Sequence, residues 1–197
     1  CAYLYGNDTI EEGCDVMDRL ELIREQTDAV IQKLVKEEER KFAYIHTYGV
    51  AQAAAMLATL RKLDVELCCI AAMLHDIALY AQNCPHLGHA QRSAEYAKLL
   101  LGKMEVFSEE EIRILTHVIS VHSDKMNRHD GPISELLKDA DVLQHYLYNP
   151  KIEVIGKRQG TAVLSAGGFE LCTGRKIAVY ICKQITRKKE YSQGMSL

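Results

Sequence analysis

Apolar positions recur every three or four residues along most of the chain, and the segments they mark predict an all-α protein. The first runs from about Asp15 to Glu39, with Val16, Leu20, Ile23, Ala29 or Val30, and Leu34 on one face. The charge run Lys36 to Lys41 reads as the exposed end of that helix and the turn after it. A second helix, Phe42 to Leu63, carries His46 in phase with Val50, Ala53 and Leu57. Asp64 is an N-cap for a third, through Leu67, Ile70, Ala71 and Leu74, which finishes at the adjacent pair His75-Asp76. After a loop from Asn83 to Gly88, a fourth helix places His89, Ser93, Tyr96 and Leu100 on one face, with Gly102 as its stop. Ser108-Glu109-Glu110-Glu111 is a capping-box pattern opening a fifth, whose stripe of Ile112, Leu115 and Ile119 ends in His122. A polar turn from Asn127 to Pro132 leads to a sixth, Ile133 to Leu147, which contains Asp139-Ala140-Asp141.

Beyond this point the character changes. Ile152 to Phe169 is rich in glycine, with Thr161 to Leu164 the strand-like run, and a last helix is expected from about Thr173 to Lys188. Lys157, Arg158, Arg175, Lys176, Lys183, Arg187, Lys188 and Lys189 make this part basic. It reads either as a loop with a solvated helix face or as a loop that brings cations over an anionic substrate. The 197 residues are expected to form a single domain: a helical bundle at about 42–148, an N-terminal helix at about 15–39, and a C-terminal loop-plus-helix segment at about 151–197.

Composition narrows the function classes. With 48% hydrophobic and 26% charged residues the chain sits near the average for a globular domain. A formal net charge of -3 argues against general nucleic-acid binding, which draws its affinity from lysine and arginine on phosphates. Seven cysteines form no CxxC pair, so they read as reduced thiols. No uncharged apolar run approaches the roughly 18 residues that span a membrane. The expectation is a cytoplasmic protein with no membrane partner and a homodimer as a possible assembly.

The candidate chemistry lies in polar residues on apolar faces: His46, His75, Asp76, His89, His122 and Asp141. Taken singly, an inward histidine is more often hydrogen-bonded to a carbonyl than ligated to a metal. Together, four imidazoles and two carboxylates would each need a private partner in one small core, whereas a metal centre satisfies them at once. A nitrogen and carboxylate set without thiolate suits Fe, Mn, Ni or Zn, and is too nitrogen-rich for calcium.

The order His46, then His75-Asp76, then Asp141 within Lys138-Asp139-Ala140-Asp141-Val142-Leu143, resembles the H…HD…D signature of the HD-domain metal-dependent phosphohydrolase superfamily. The segments Gly88 to Ala94 and Val118 to Ser123 are similar to those supplying extra histidines in binuclear members, including the HD enzymes that split symmetrical dinucleoside tetraphosphates. This resemblance implies two divalent ions, with Fe or Mn first and Ni, Zn, Co or Mg as further options. One would be held by His46, His75, Asp76 and Asp141, and Asp76 would bridge to a second held by His89 and His122. The substrate implied is a nucleotide or another small phosphorylated molecule, cleaved by a metal-activated water. Asp76 is the candidate proton acceptor, Lys125 the first candidate cation on the phosphoryl group, and Arg92, one turn from His89, the second. Ala78-Leu79 stands where the cyclic-dinucleotide branch often has Gly-Lys, and no GYP run follows, which argues against hydrolysis of cyclic-di-GMP. His117 could replace His122, although helix phase favours His122. Asp139 is read as orienting a ligand histidine, His86 either approaches an open coordination position or is a surface-loop histidine, with the second favoured, and His129 and His145 have no such context. Two other readings stay open: a mixed-valent di-iron HD-type oxygenase, and a non-catalytic module that binds metal or nucleotide.

Overall fold

The computed structural model describes residues 18–126 and 129–148, together with two short strands at 164–165 and 168–169. Seven helices occupy the described residues: α1 (Arg19–Ile31), α2 (Glu37–Arg61), α3 (Val65–Leu74), α4 (Ile77–Gln82), α5 (His89–Met104), α6 (Glu109–Val121) and α7 (Pro132–Tyr148). The strands β1 (Leu164–Ser165) and β2 (Gly168–Phe169) pair antiparallel, with Leu164 opposite Phe169 and Ser165 opposite Gly168. The all-α expectation therefore holds for the described bundle, and the strand-like run Thr161 to Leu164 touches β1 only at Leu164. The expected last helix and the basic cluster lie outside the described residues.

α3 is the centre of the bundle. Every residue from Leu67 to Leu74 is buried, and α3 packs against α1, α2, α5, α6 and α7. A helix apolar on all sides needs neighbours on all sides, and the chain supplies them from elements before and after it. Residues 65–82 form an 18-residue stretch of mean hydropathy 1.3, long and apolar enough by composition to cross a membrane. In the fold this stretch is two helices, broken at His75-Asp76, with most of its side chains in the core.

Helix ends follow local chemistry. The side chain of Asp64 accepts from the Leu67 amide at 2.9 Å, and Asp18 does the same for Glu21 at 3.0 Å. Ser108 and Glu111 form the expected capping box. Glu111 also accepts from Arg19 at 2.8 Å; Arg19 pairs with Glu66 as well, and so ties α1 to α3 and α6.

Three boundaries differ from expectation. The long first helix is two: α1 stops at Ile31, and α2 begins at Glu37, within the charge run read as a helix end. Glu37, Glu38 and Glu39 fill the first turn of α2, where the helix dipole favours negative charge. Gly102 does not end α5; a Cβ there would meet nothing within 4 Å, and the helix continues to a left-handed Glu105 at φ 55°. The third helix also stops one residue before His75, and α4, absent from the expected elements, follows at Ile77.

Asp139 is fully buried and pairs with Arg61 of α2 at 2.5 Å, so it fastens α7 to α2. Breaking a buried ion pair by removing one partner costs about 3–5 kcal/mol. Asp139→Ala is expected to lower stability by that amount in chemical denaturation. A loss below about 1 kcal/mol would show that the pair does not hold the two helices together.

Candidate metal centre

The break between α3 and α4 creates the site. His75 caps the C-terminus of α3, and Asp76 follows at φ -112°, ψ 12°, near the bridge region where functional residues often sit. The freed amide of Ala78 donates to Ser93 Oγ of α5 at 3.1 Å, which pins the turn to that helix. The two oxygens of Asp76 thereby face different pairs of imidazoles. Oδ2 lies 3.4 Å from Nε2 of both His46 and His75. Oδ1 lies 3.1 Å from His89 Nε2 and 3.4 Å from His122 Nε2. Asp141 approaches on the first side only, with Oδ1 3.6 Å from His46 Nε2 and Oδ2 2.6 Å from Lys125 Nζ.

Each imidazole is oriented by its other nitrogen. Nδ1–H of His75 donates to Ala72 O at 2.7 Å, that of His122 to Ile119 O at 2.7 Å, and that of His89 to His86 O at 2.6 Å. His46 Nδ1 lies 2.8 Å from Gln144 Oε1. A carbonyl oxygen can only accept, so the proton of a neutral ring sits on Nδ1 and Nε2 presents a lone pair. These lone pairs converge, with Nε2 of His46 and His75 3.1 Å apart and Nε2 of His89 and His122 3.0 Å apart. Two lone pairs at that distance repel unless a cation lies between them. Asp76 Oδ1 and Asp141 Oδ1 are buried and aligned for no hydrogen bond. Converging nitrogens with orphaned carboxylate oxygens fit divalent ions, and the atoms fall into three overlapping groups, His46, His75, Asp76, then Asp76, His89, His122, and His46, Asp141, His145.

Burial and charge act against each other here. Burial opposes ionisation of Asp76, but His75, His122, His46 and His89 outweigh it and hold the carboxyl well below its usual range. Asp141 is held low in the same way, burial being overcome by Lys125 and the neighbouring histidines. Burial pushes the fully enclosed His75 down to about 4. His46 is raised, because its carboxylate partners exceed its burial, and His89 is raised chiefly by Asp76.

The sequence-derived candidates separate cleanly. His46, His75, Asp76, His89, His122 and Asp141 are brought together, and Lys125 joins them through Asp141. His117 is on the far side of α6, directed toward Asp130 O at 3.4 Å. Arg92 is withdrawn: its guanidinium donates back to Leu87 O at 3.1 Å and does not line the cavity above the cluster. His145 was missed. Its Nε2 is 3.3 Å from Asp141 Oδ1, its ring centroid is 4.8 Å from that of His46, and its side chain is 54% exposed. The signal was its i+4 spacing from Asp141, one turn along the same helix face. His86 also lines the cavity and supplies the carbonyl for His89.

That cavity measures about 650 Å³ and is walled by Phe42, Leu79 and Tyr80 on its apolar side and by Glu38, Glu39 and Lys125 among its charged groups. Its size is that of a site for a small organic ligand. Cys84 is on the wall but in none of these ligand groups.

The low proton affinity of His75 has a stability consequence in metal-free protein. An unfolded histidine titrates near 6.5, so between that pH and about 4 the unfolded chain binds the proton and the folded chain does not. The neutral-state contribution is complete above pH 6.5 and is lost as pH falls toward 4, on the order of 3 kcal/mol. Chelator-treated His75→Gln is expected to show a shallower fall in stability from pH 7 to 4.5 than the native chain. An identical fall in both would contradict the assignment of that proton uptake to His75.

Comparisons with known proteins give the family and the fold. No curated protein sequence matches the chain. A crystal structure of a predicted HD superfamily hydrolase from an uncultured Thermotogales bacterium shares the fold with a TM-score of 0.51 and 21% identity, over 85% of this chain and 91% of that one. The HD domain family model matches residues 43–146, from the helix that carries His46 to the one that carries Asp141, which is just over half of the sequence. The chain belongs to the HD-domain family.

Proposed function

We propose that the chain is a metal-dependent phosphohydrolase that cleaves a phosphate ester or anhydride of a nucleotide or a related small phosphorylated metabolite. The observation that carries this reading is the placement of Asp76, with each carboxylate oxygen turned to a separate pair of histidine Nε2 atoms. Its resemblance to binuclear HD enzymes, and the description of the Thermotogales fold neighbour as a hydrolase, support it further.

His46, His75 and Asp76 Oδ2, with Asp141 Oδ1 beside His46, would hold one ion, and Asp76 Oδ1, His89 and His122 the other. Divalent cations held there supply Lewis acidity to phosphoryl oxygens and lower the pKa of water, so that a carboxylate as weakly basic as Asp76 can serve as its proton acceptor. Lys125 neutralises the outer oxygen of Asp141 and stands on the cavity wall, where it offsets charge building on the phosphoryl group. His145, half-exposed beside Asp141, faces the same space. Phe42, Leu79 and Tyr80 give the leaving group an apolar wall.

The test is turnover by the purified full chain with Fe(II), Mn(II) or Co(II) against dinucleoside polyphosphates, nucleoside mono-, di- and triphosphates and simple phosphate esters. Release of phosphate or nucleotide from at least one class is expected. Asp76→Ala should abolish both turnover and metal content while far-UV circular dichroism retains the helical signal. Full activity in that variant, or no release with any metal and substrate, would overturn the reading.

A further inference from the structure

Three of the four histidines settle their tautomer within their own turn. His75 and His122 cap the ends of α3 and α6 and each donates to the carbonyl three residues back, and His89 opens α5 against the carbonyl of His86. His46 lies in the middle of α2, where the backbone carbonyls are already committed to the helix. Its Nδ1 turns instead to Gln144 of α7, 98 residues along the chain.

Gln144 reaches His46 through a space that one residue provides. It is 6% exposed, and a Cβ at position 49 would sit 2.8 Å from Gln144 Cγ and 3.3 Å from its Nε2. Position 49 is glycine, one turn from His46 on the same face of α2. A glycine inside a helix costs about 1 kcal/mol relative to alanine, and the close approach of Gln144 gives that cost a structural reason.

We infer that Gln144 is a positioning residue for His46, and that Gly49 provides the gap that admits it. Together they hold the proton on Nδ1 and set the ring plane so that Nε2 aims between His75 and Asp141. The inference rests on the metal-site reading above and adds an asymmetry to it. α7 supplies both Asp141 and, three residues on, the partner of His46, so the first ion position is complete only when α2 and α7 are docked. The second position draws on α5 and α6 and needs neither Gln144 nor Gly49.

The experiment is a Co(II) titration of the chelator-stripped full chain, followed by visible absorption and calorimetry. Gln144→Met preserves volume and removes the acceptor. It should weaken one of the two Co(II) sites by about 10- to 100-fold, leave the other within roughly twofold, and be rescued by Gln144→Glu. Gly49→Ala should weaken the same site. A role limited to packing predicts a lower melting temperature with unchanged Co(II) affinity, and that result would overturn the inference. His46→Ala separates the two levels: if it loses the site while Gln144→Met does not, only the positioning role fails, and if it binds normally the metal-site reading fails. Selective 15N-histidine spectra of the unaltered metal-free chain give a second check, with Nδ1 of His46 expected to be protonated. An unprotonated Nδ1 would contradict the inference.

Discussion

Asp76 carries an ionised carboxylate into the middle of a helical core, and four imidazoles keep it ionised there against its burial. A buried charge without such partners costs several kcal/mol. The cluster in turn requires five helix ends or faces to meet: the middle of α2, the α3–α4 break, the start of α5, the end of α6 and the inward face of α7. α3 makes this possible by being apolar on all sides, so that elements distant in sequence can close around it.

The two halves of the site differ in how they are built. Around Asp76 Oδ1 the histidines stand at helix ends and satisfy their Nδ1 protons locally. Around Oδ2, His46 and Asp141 come from helix interiors and depend on side chains from elsewhere: Gln144 for the imidazole, Lys125 for the outer carboxylate oxygen. The second kind of construction couples the site to helix packing. Arg61 and Asp139 contribute to that packing, since they clamp the same two helices together.

Much of this was legible in the sequence because the signals are local. Helical spacing put His46 in phase with Val50, Ala53 and Leu57, and all of these are buried. Ser108 and Asp64 announced their helix starts, since a cap needs only its own turn. The ordered histidines and aspartates marked the family, and the fold brings them together. What was not legible depends on tertiary contact. Asp139 and Asp141 look alike in sequence, and only docking on α2 sends one to Arg61 and the other to His46. Arg92 has the right spacing from His89 but finds a closer acceptor in Leu87 O. Gln144 carries no sequence signal toward His46, because its role exists only where Gly49 leaves room. The stop of α1 at Ile31 and the start of α2 at Glu37 were missed because the triplet Glu37 to Glu39 reads equally as an exposed tail and as the first turn of α2.

The central claim is that Asp76 bridges two ions. Its most direct test is anomalous diffraction from crystals of the full chain loaded with Mn(II). Two peaks are predicted on opposite sides of the Asp76 carboxylate, roughly 3.5–4 Å apart, one beside His46, His75 and Asp141 and the other beside His89 and His122. A single peak, or metal bound away from Asp76, would contradict the claim.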